Sequence, residues 1–301
     1  MKNVNREFIL NILRVFTGNL AASTIIFLTL PIISRLYSPS DFGQAFYFIS
    51  LTAVAASVSS LRYDASIVIA SKSKLASIMA INSTIICFIT STLFGFICFI
   101  MNSYQSRFLS PFSEFIYLLP VTIFLTGLCQ IILSIFTREK EFGAVAGFNI
   151  SKSAVQQTYR IFFGIAGFAS GISLITGLIA GQILGIVFVG KRLVNIFKNL
   201  LTKQITLKDL IFGLKRYKNF PFYSSWSSFM NILGFQLPVL LLGYYFDIEK
   251  VGHFSMAVMV LSFPTALTNS IGRVLYQQAA EKKNAGDLKQ FVWEVYKRLT
   301  T

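Results

Sequence analysis

The chain has 301 residues, of which 54% are hydrophobic, only 13% are charged and 31 are phenylalanine, and its mean hydropathy is +0.65. Ordinary soluble domains carry about 25% charged residues, so too few charges remain here to cover a water-soluble core, and the apolar content excludes intrinsic disorder. The net charge of +15, from 27 basic and 12 acidic residues, would suggest nucleic acid in a soluble protein; here the placement of the bases gives a simpler reason.

Crossing a bilayer core of about 30 Å takes around 20 helical residues. Uncharged apolar stretches run from Phe16 to Ile33, Gln44 to Leu61, Leu75 to Met101, Phe115 to Phe136, Ile161 to Gly190, Phe220 to Phe246 and Phe254 to Gly272. The fifth is either one tilted helix or two spans hinged at Ser170, Gly171, Ile172 and Ser173. Loop charge decides, because each added span inverts everything after it and Lys and Arg collect on the cytoplasmic side. Two spans leave only Arg35, Arg107 and Lys250 outside; one span would translocate the eight bases from Lys191 to Lys218. The expectation is an all-α, polytopic membrane helix bundle of about eight spans with both termini cytoplasmic. The uncleaved N-terminal span and the spans after it suit a bacterial inner membrane, and the bases serve orientation and attraction to anionic lipid.

Two cytoplasmic segments are amphipathic. Leu288, Phe291, Val292, Val295, Tyr296 and Leu299 share one helical face, and Leu193, Ile196, Phe197, Leu200 and Leu201 repeat the pattern; both read as helices on the membrane surface, with a partner contact as the other option.

The first and last span pairs share a layout. Pro31, Asp41, Gly43 and Arg62 in one find counterparts in Pro238, Asp247, Gly252 and Arg273 of the other, with the glycines 209 residues apart. This is the arrangement of two parallel transporter halves. The chain then divides into a six-helix lobe at 1–190, an amphipathic linker at 191–219, the first two helices of a second lobe at 220–275 and an amphipathic tail at 276–301. Chance likeness between two membrane hairpins is the competing explanation.

Short outer connections leave no room for a catalytic domain, so a membrane transporter is expected rather than an enzyme. Three cysteines and one histidine form no metal cluster, and neither metal nor cofactor is expected. Cys87 and Cys98 sit about 16 Å apart along one helix and read as free buried thiols. No span carries Asp or Glu near its middle, which disfavours an antiporter for cationic drugs. Arg160, placed about 9 Å into a helix starting at Ala154, either faces a polar cavity together with Lys152 or snorkels to the headgroups. Arg14, Arg62 and Arg273 are further candidates for substrate binding, also explained by positive-inside placement. Arg35 either meets Asp41 or receives a ligand leaving outward. Asn and Gln residues within spans, with Tyr223 and Trp226 nearby, suit sugar hydroxyls and rings or inter-helix hydrogen bonds.

The run from Leu30 to Gly43, followed by Leu61-Arg62-Tyr63-Asp64-Ala65-Ser66-Ile67, resembles the amino-terminal region of bacterial polysaccharide biosynthesis proteins of the O-antigen flippase type. Their superfamily also holds multidrug extruders and the lipid II flippase. The resemblance spans about residues 10 to 275, its motifs are loose, and it includes the Gly-rich stretch from Gly164 to Gly190. It implies two six-helix lobes of the multidrug-extruder kind and transport of an undecaprenyl-pyrophosphate-linked oligosaccharide, such as an O-antigen or capsule repeat unit, from the cytoplasmic to the periplasmic leaflet. A cationic cavity for the diphosphate and association with polysaccharide assembly proteins are further implications. Ending after eight spans, the chain also admits an inactive truncated remnant, and a small-molecule antiporter of the same superfamily is the remaining alternative.

Overall fold

The computed structural model describes residues 2–104, 114–200 and 205–262, and the side chains of all of these except 2–15 and 197–200. Helices α1 (Lys2–Leu36), α2 (Pro39–Ser59), α3 (Tyr63–Ile69), α4 (Ser73–Ser103), α5 (Leu118–Arg138), α6 (Phe142–Ile165), α7 (Gly171–Leu200), α8 (Leu207–Arg216) and α9 (Ser225–Tyr245) follow in order. A further helix, α10, covers 248–262. Among the described residues there is no strand, and the chain is a polytopic helical bundle. Among the described residues six helices are long and apolar enough to cross a membrane. The helix α6 has the length but carries Lys152 and Arg160, and α10 is described over 248–262 alone.

The bundle has two distinct ends. One carries the turns at 37–38, 166–170 and 246–247; the other, the basic end, carries Arg62, Lys72, Lys74, Arg138, Lys140 and α8. At the turn end α2 starts on a capping box, Ser38 and Asp41 satisfying each other's backbone amides with Pro39 in the first turn. This helix is the centre of the fold: Phe42, Ala45, Tyr47 and Phe48 are each at most 1% exposed and pack with Leu119 and Ile123 of α5, Leu174 and Ile175 of α7 and Val239 and Leu240 of α9. The helix α4 instead turns Phe88, Ile89, Leu93, Phe96 and Phe99 outward, as a lipid-facing span does. Cys87, Cys98 and Cys129 are free and buried.

The fifth apolar stretch does divide in two, with its turn four residues earlier than the sequence suggests. Gly171 and Ser173 already belong to α7, and the bend is taken by 166–170, where Gly167 adopts φ +83°, a backbone region that glycine enters without steric cost. The pair α6–α7 then packs along glycines spaced by four. A Cβ at Gly177 would lie 3.0 Å from Arg160 Cγ, one at Gly181 2.7 Å from the Lys152 carbonyl oxygen, and one at Gly185 3.2 Å from the Phe148 ring. Small residues at such a seam let two helix backbones approach where lipid supplies no hydrophobic drive.

Two amphipathic segments need correction or lie beyond view. Leu193 and Ile196 are not on a separate surface helix; they continue α7 and pack, half-buried, against two buried clusters, one containing Tyr63 and Ile131 and the other Phe136. The amphipathic helix of the linker is α8, capped by a Thr206–Asp209 capping box. Residues 288–299 and the tail 276–301 lie outside the described residues.

The internal repeat has a physical counterpart at the turn end. A Cβ on Gly43 would overlap the carbonyl oxygen of Ile248, and one on Gly252 would overlap that of Pro39. Each glycine thus sits against the backbone four residues before the other, as a pseudo-two-fold contact between the first turns of α2 and α10 demands. Tyr47 lies against Gly243 in the same seam.

Because Gly181 meets backbone, Gly181→Val should destabilise the protein by about 1–3 kcal/mol. Gly190 and Gly234 have nothing within 4 Å of an added Cβ, so Gly190→Ala should leave stability unchanged or raise it by about 1 kcal/mol. Thermal melting in detergent distinguishes the two sites.

Candidate functional site

At the basic end α2 stops abruptly. Leu61 and Arg62 take φ +49° and +57°, a left-handed conformation costing about 1–3 kcal/mol for each non-glycine residue. The break separates two side chains that a continuing helix would turn only about 100° apart. Leu61 lines an apolar cavity of about 460 Å³ with Val58, Phe222, Trp226 and Phe229; Arg62 lines a polar one of about 540 Å³ with Tyr223, Ser224, Ser227, Ser228 and Asn231. The two sets from the start of α9 alternate at helical spacing, so they occupy opposite faces of that helix. A π-helical turn at Phe220–Ser224 leads into it, an irregularity common at functional positions.

Arg62 is held, not free. Its Nη1 lies 3.8 Å from Oδ2 of Asp64, a carboxylate only 4% exposed whose other oxygen accepts a hydrogen bond of 2.5 Å from Ser60 Oγ. The Arg62 Nε is buried without a hydrogen-bond partner. The polar cavity therefore presents one anchored guanidinium, a row of hydroxyls and an amide, and no carboxylate in its lining. A guanidinium fork matches phosphate oxygens, and hydroxyls and amides match sugar hydroxyls.

Arg160 sits elsewhere. The helix α6 starts at Phe142 rather than Ala154, so Arg160 is about 27 Å along it, near the turn end, out of snorkelling reach of the basic end. It is 3% exposed, and its Nε and Nη2 donate to the Leu174 carbonyl at 3.2 and 2.9 Å. Nη1 donates to Gln157 Oε1 at 3.3 Å, and with the Gln156 amide rotated by a half-turn its oxygen accepts from both terminal nitrogens at 3.0 Å. The Tyr37 hydroxyl donates to the Arg160 carbonyl at 2.8 Å and accepts from Ser173 Oγ at 3.1 Å. In this conformation the guanidinium faces protein and ties α6 to α7, while the Arg160 backbone carbonyl holds Tyr37 at the end of α1. Lys152 stands two turns away, half-buried with its Cβ toward Gly185 of α7.

The other expected bases are not gathered with Arg62. Arg35 is exposed, while Asp41 is engaged by Ser38 in the cap at 2.6 to 3.1 Å. The Arg14 side chain and Arg273 lie outside the described residues. Of the polar span residues, Asn149 bonds Asn19, Gln182 bonds Thr126 and Asn82 bonds the Leu210 carbonyl, each joining two helices, whereas Asn231 lines the polar cavity. Sequence reasoning passed over Asp64 and the serines of the cavity; the run Ser224-Ser225-Trp226-Ser227-Ser228 at the head of a span was the available signal.

These placements separate the two arginines experimentally. Arg160→Ala should lower stability by about 1–3 kcal/mol, since it leaves a void and strips donors from the Leu174 carbonyl. Arg62→Ala takes the ion-pair partner from the buried Asp64 carboxylate but leaves its Ser60 hydrogen bond in place, and should cost less, about 1 kcal/mol.

The chain matches the family model for "Polysaccharide biosynthesis protein" over residues 32–301. No match was found among the curated proteins or among the solved structures. The matched range takes in α2 through α10, with both cavities and the glycine contact, and the chain belongs to the polysaccharide biosynthesis protein family.

Proposed function

We propose that the chain is a flippase that moves an undecaprenyl-pyrophosphate-linked oligosaccharide across the bacterial inner membrane by alternating access, and is not an enzyme. The observation that carries this reading is the division made by Leu61 and Arg62: a polar, cationic cavity and an apolar, aromatic one on either face of α9. A lipid-linked saccharide is an amphiphile with the same division. Its diphosphate would pair with Arg62, its first sugars with Ser224, Ser227, Ser228 and Asn231, and its polyprenyl chain would lie among Phe222, Trp226 and Phe229. A cation antiporter would instead place carboxylates in the cavity wall, and the described lining has none.

The ends of the bundle fit one state of an alternating-access cycle. Backbone contact at Gly43 and Gly252 closes α2 against α10 at the turn end, and the cavities lie at the basic end. The positive-inside rule makes the basic end cytoplasmic, so the state is inward-facing, ready to take substrate from the cytoplasmic leaflet. Arg160, braced at the far end, becomes available to an anion only if α6 and α7 shift relative to one another.

The test is complementation in a bacterial strain lacking its own flippase, with surface polysaccharide and membrane abundance measured together. Arg62→Ala should lose export at least tenfold at unchanged abundance. Arg62→Lys should restore it only in part, because an ammonium is a point charge without the bidentate fork. Normal export from Arg62→Ala would overturn the assignment.

A further inference from the structure

Apart from the two cavities beside Leu61 and Arg62, the basic end contains a third, smaller one of about 260 Å³ between the start of α4 and α8. Its polar wall is Ser71, Lys72, Lys74, Asp209 and Arg216, and its apolar wall includes Leu75 and Phe212. Asp209 is already used. It accepts from the Thr206 backbone N–H at 3.1 Å, from Thr206 Oγ1 at 3.0 Å and from Lys74 Nζ at 3.0 Å. Lys72 and Arg216 form no ion pair among the described residues. The cavity therefore offers two uncommitted cations beside one neutralised pair.

The level of the cavity in the membrane follows from α4. Residues 75–80 of that helix are buried, α8 crosses it beside Ile78, Met79 and Asn82, and the first exposed apolar side chain is Ile85, about one turn later. From Ile85 to Met101 the helix rises roughly 24 Å, most of a bilayer's hydrocarbon thickness. The helix α8 consequently lies at headgroup depth, with Leu207, Ile211 and Phe212 exposed at 78%, 54% and 57% and Lys208, Lys215 and Arg216 beside them. An amphipathic helix at this depth has its apolar side chains among acyl chains and its bases among phosphates.

We propose that the α4–α8 cavity is a binding site for the phosphodiester headgroup of an anionic phospholipid, held by Lys72 and Arg216, with an acyl chain leaving along Phe212. A bound lipid there would clamp α8 onto α4 and so fix the connection between α7 and α9, whose first turns line the transport cavities. The site is independent of the proposed substrate, since none of its residues lines the Arg62 cavity.

The full chain, purified in detergent, is titrated with phosphatidylglycerol or with phosphatidylcholine of the same acyl chains, and bound lipid is counted by native mass spectrometry. One phosphatidylglycerol should be retained in preference to phosphatidylcholine, with affinity falling as salt is raised. The double variant Lys72→Gln, Arg216→Gln should weaken it about thirtyfold, as expected for two basic side chains near a lipid surface. Lys208→Gln with Lys215→Gln, outside the cavity lining, should keep it. Equal retention of the two lipids, or unchanged retention by the double variant, overturns the site. Displacement by inorganic phosphate or glycerol-1-phosphate at concentrations comparable to the lipid overturns the lipid as its occupant. If the double variant melts lower, Arg216→Gln alone, at an exposed helix end, gives the same comparison.

Discussion

The meeting of two backbones at Gly43 and Gly252 sets the geometry of the rest. With no Cβ on either residue, the first turns of α2 and α10 come into contact through the carbonyls of Pro39 and Ile248. This proximity brings α9 along the length of α2, places Tyr47 on Gly243 and buries α2 on nearly every side. Any larger side chain at either glycine must part the helices. In a membrane, where helices are held by close packing rather than by exclusion of water, a contact that depends on two absent side chains is a sharp specification of where two elements cross.

Clamped at one end, α2 determines what happens at the other. Its break at Leu61 and Arg62 holds two non-glycine residues in a left-handed conformation, and such strain persists only where surrounding structure enforces it. Here Arg138 donates to the carbonyls of Ile67 and Ala70 at 2.9 and 2.5 Å, fixing the end of α3, while Asp64 and Ser60 hold the turn from within. Arg62 is delivered to a cavity of hydroxyls and Leu61 to one of aromatic rings. The buried arginine serves a different purpose: Arg160 is surrounded by neutral acceptors at the opposite end, and its side chain joins α6 to α7. Two arginines that look alike in a hydropathy profile thus occupy opposite ends of the bundle.

What was legible in the sequence follows from physics that acts at short range or over whole spans. Apolar runs and the distribution of Lys and Arg sufficed for the helical class and for dividing the fifth stretch into a hairpin. The spacing of Gly43 and Gly252 indicated a repeat, and these residues touch. Arg160 lies deeper than a helix start at Ala154 implies, because α6 begins at Phe142 and its polar stretch around Lys152 packs against the glycine seam of α7. The helix α8 was missed since it is only ten residues long and carries Lys208, Asp209, Lys215 and Arg216; its helicity depends on a cap and on docking against α4. The convergence of Arg62 with the serines of α9 joins residues more than 160 positions apart, and no local pattern encodes it.

In the proposed transport cycle an amphiphile straddles Leu61 and Arg62 with its charge on one face of α9 and its chain on the other. Photo-cross-linking with a polyprenyl diphosphate carrying a diazirine on its first isoprene units tests this directly, with adducts located by peptide mass mapping. Adducts are expected on Leu61, Phe222, Trp226 or Phe229, suppressed by excess unlabelled polyprenyl diphosphate and reduced in Arg62→Ala. Adducts confined to the outward face of α4, at Phe88, Phe96 and Phe99, and insensitive to competitor, would contradict it.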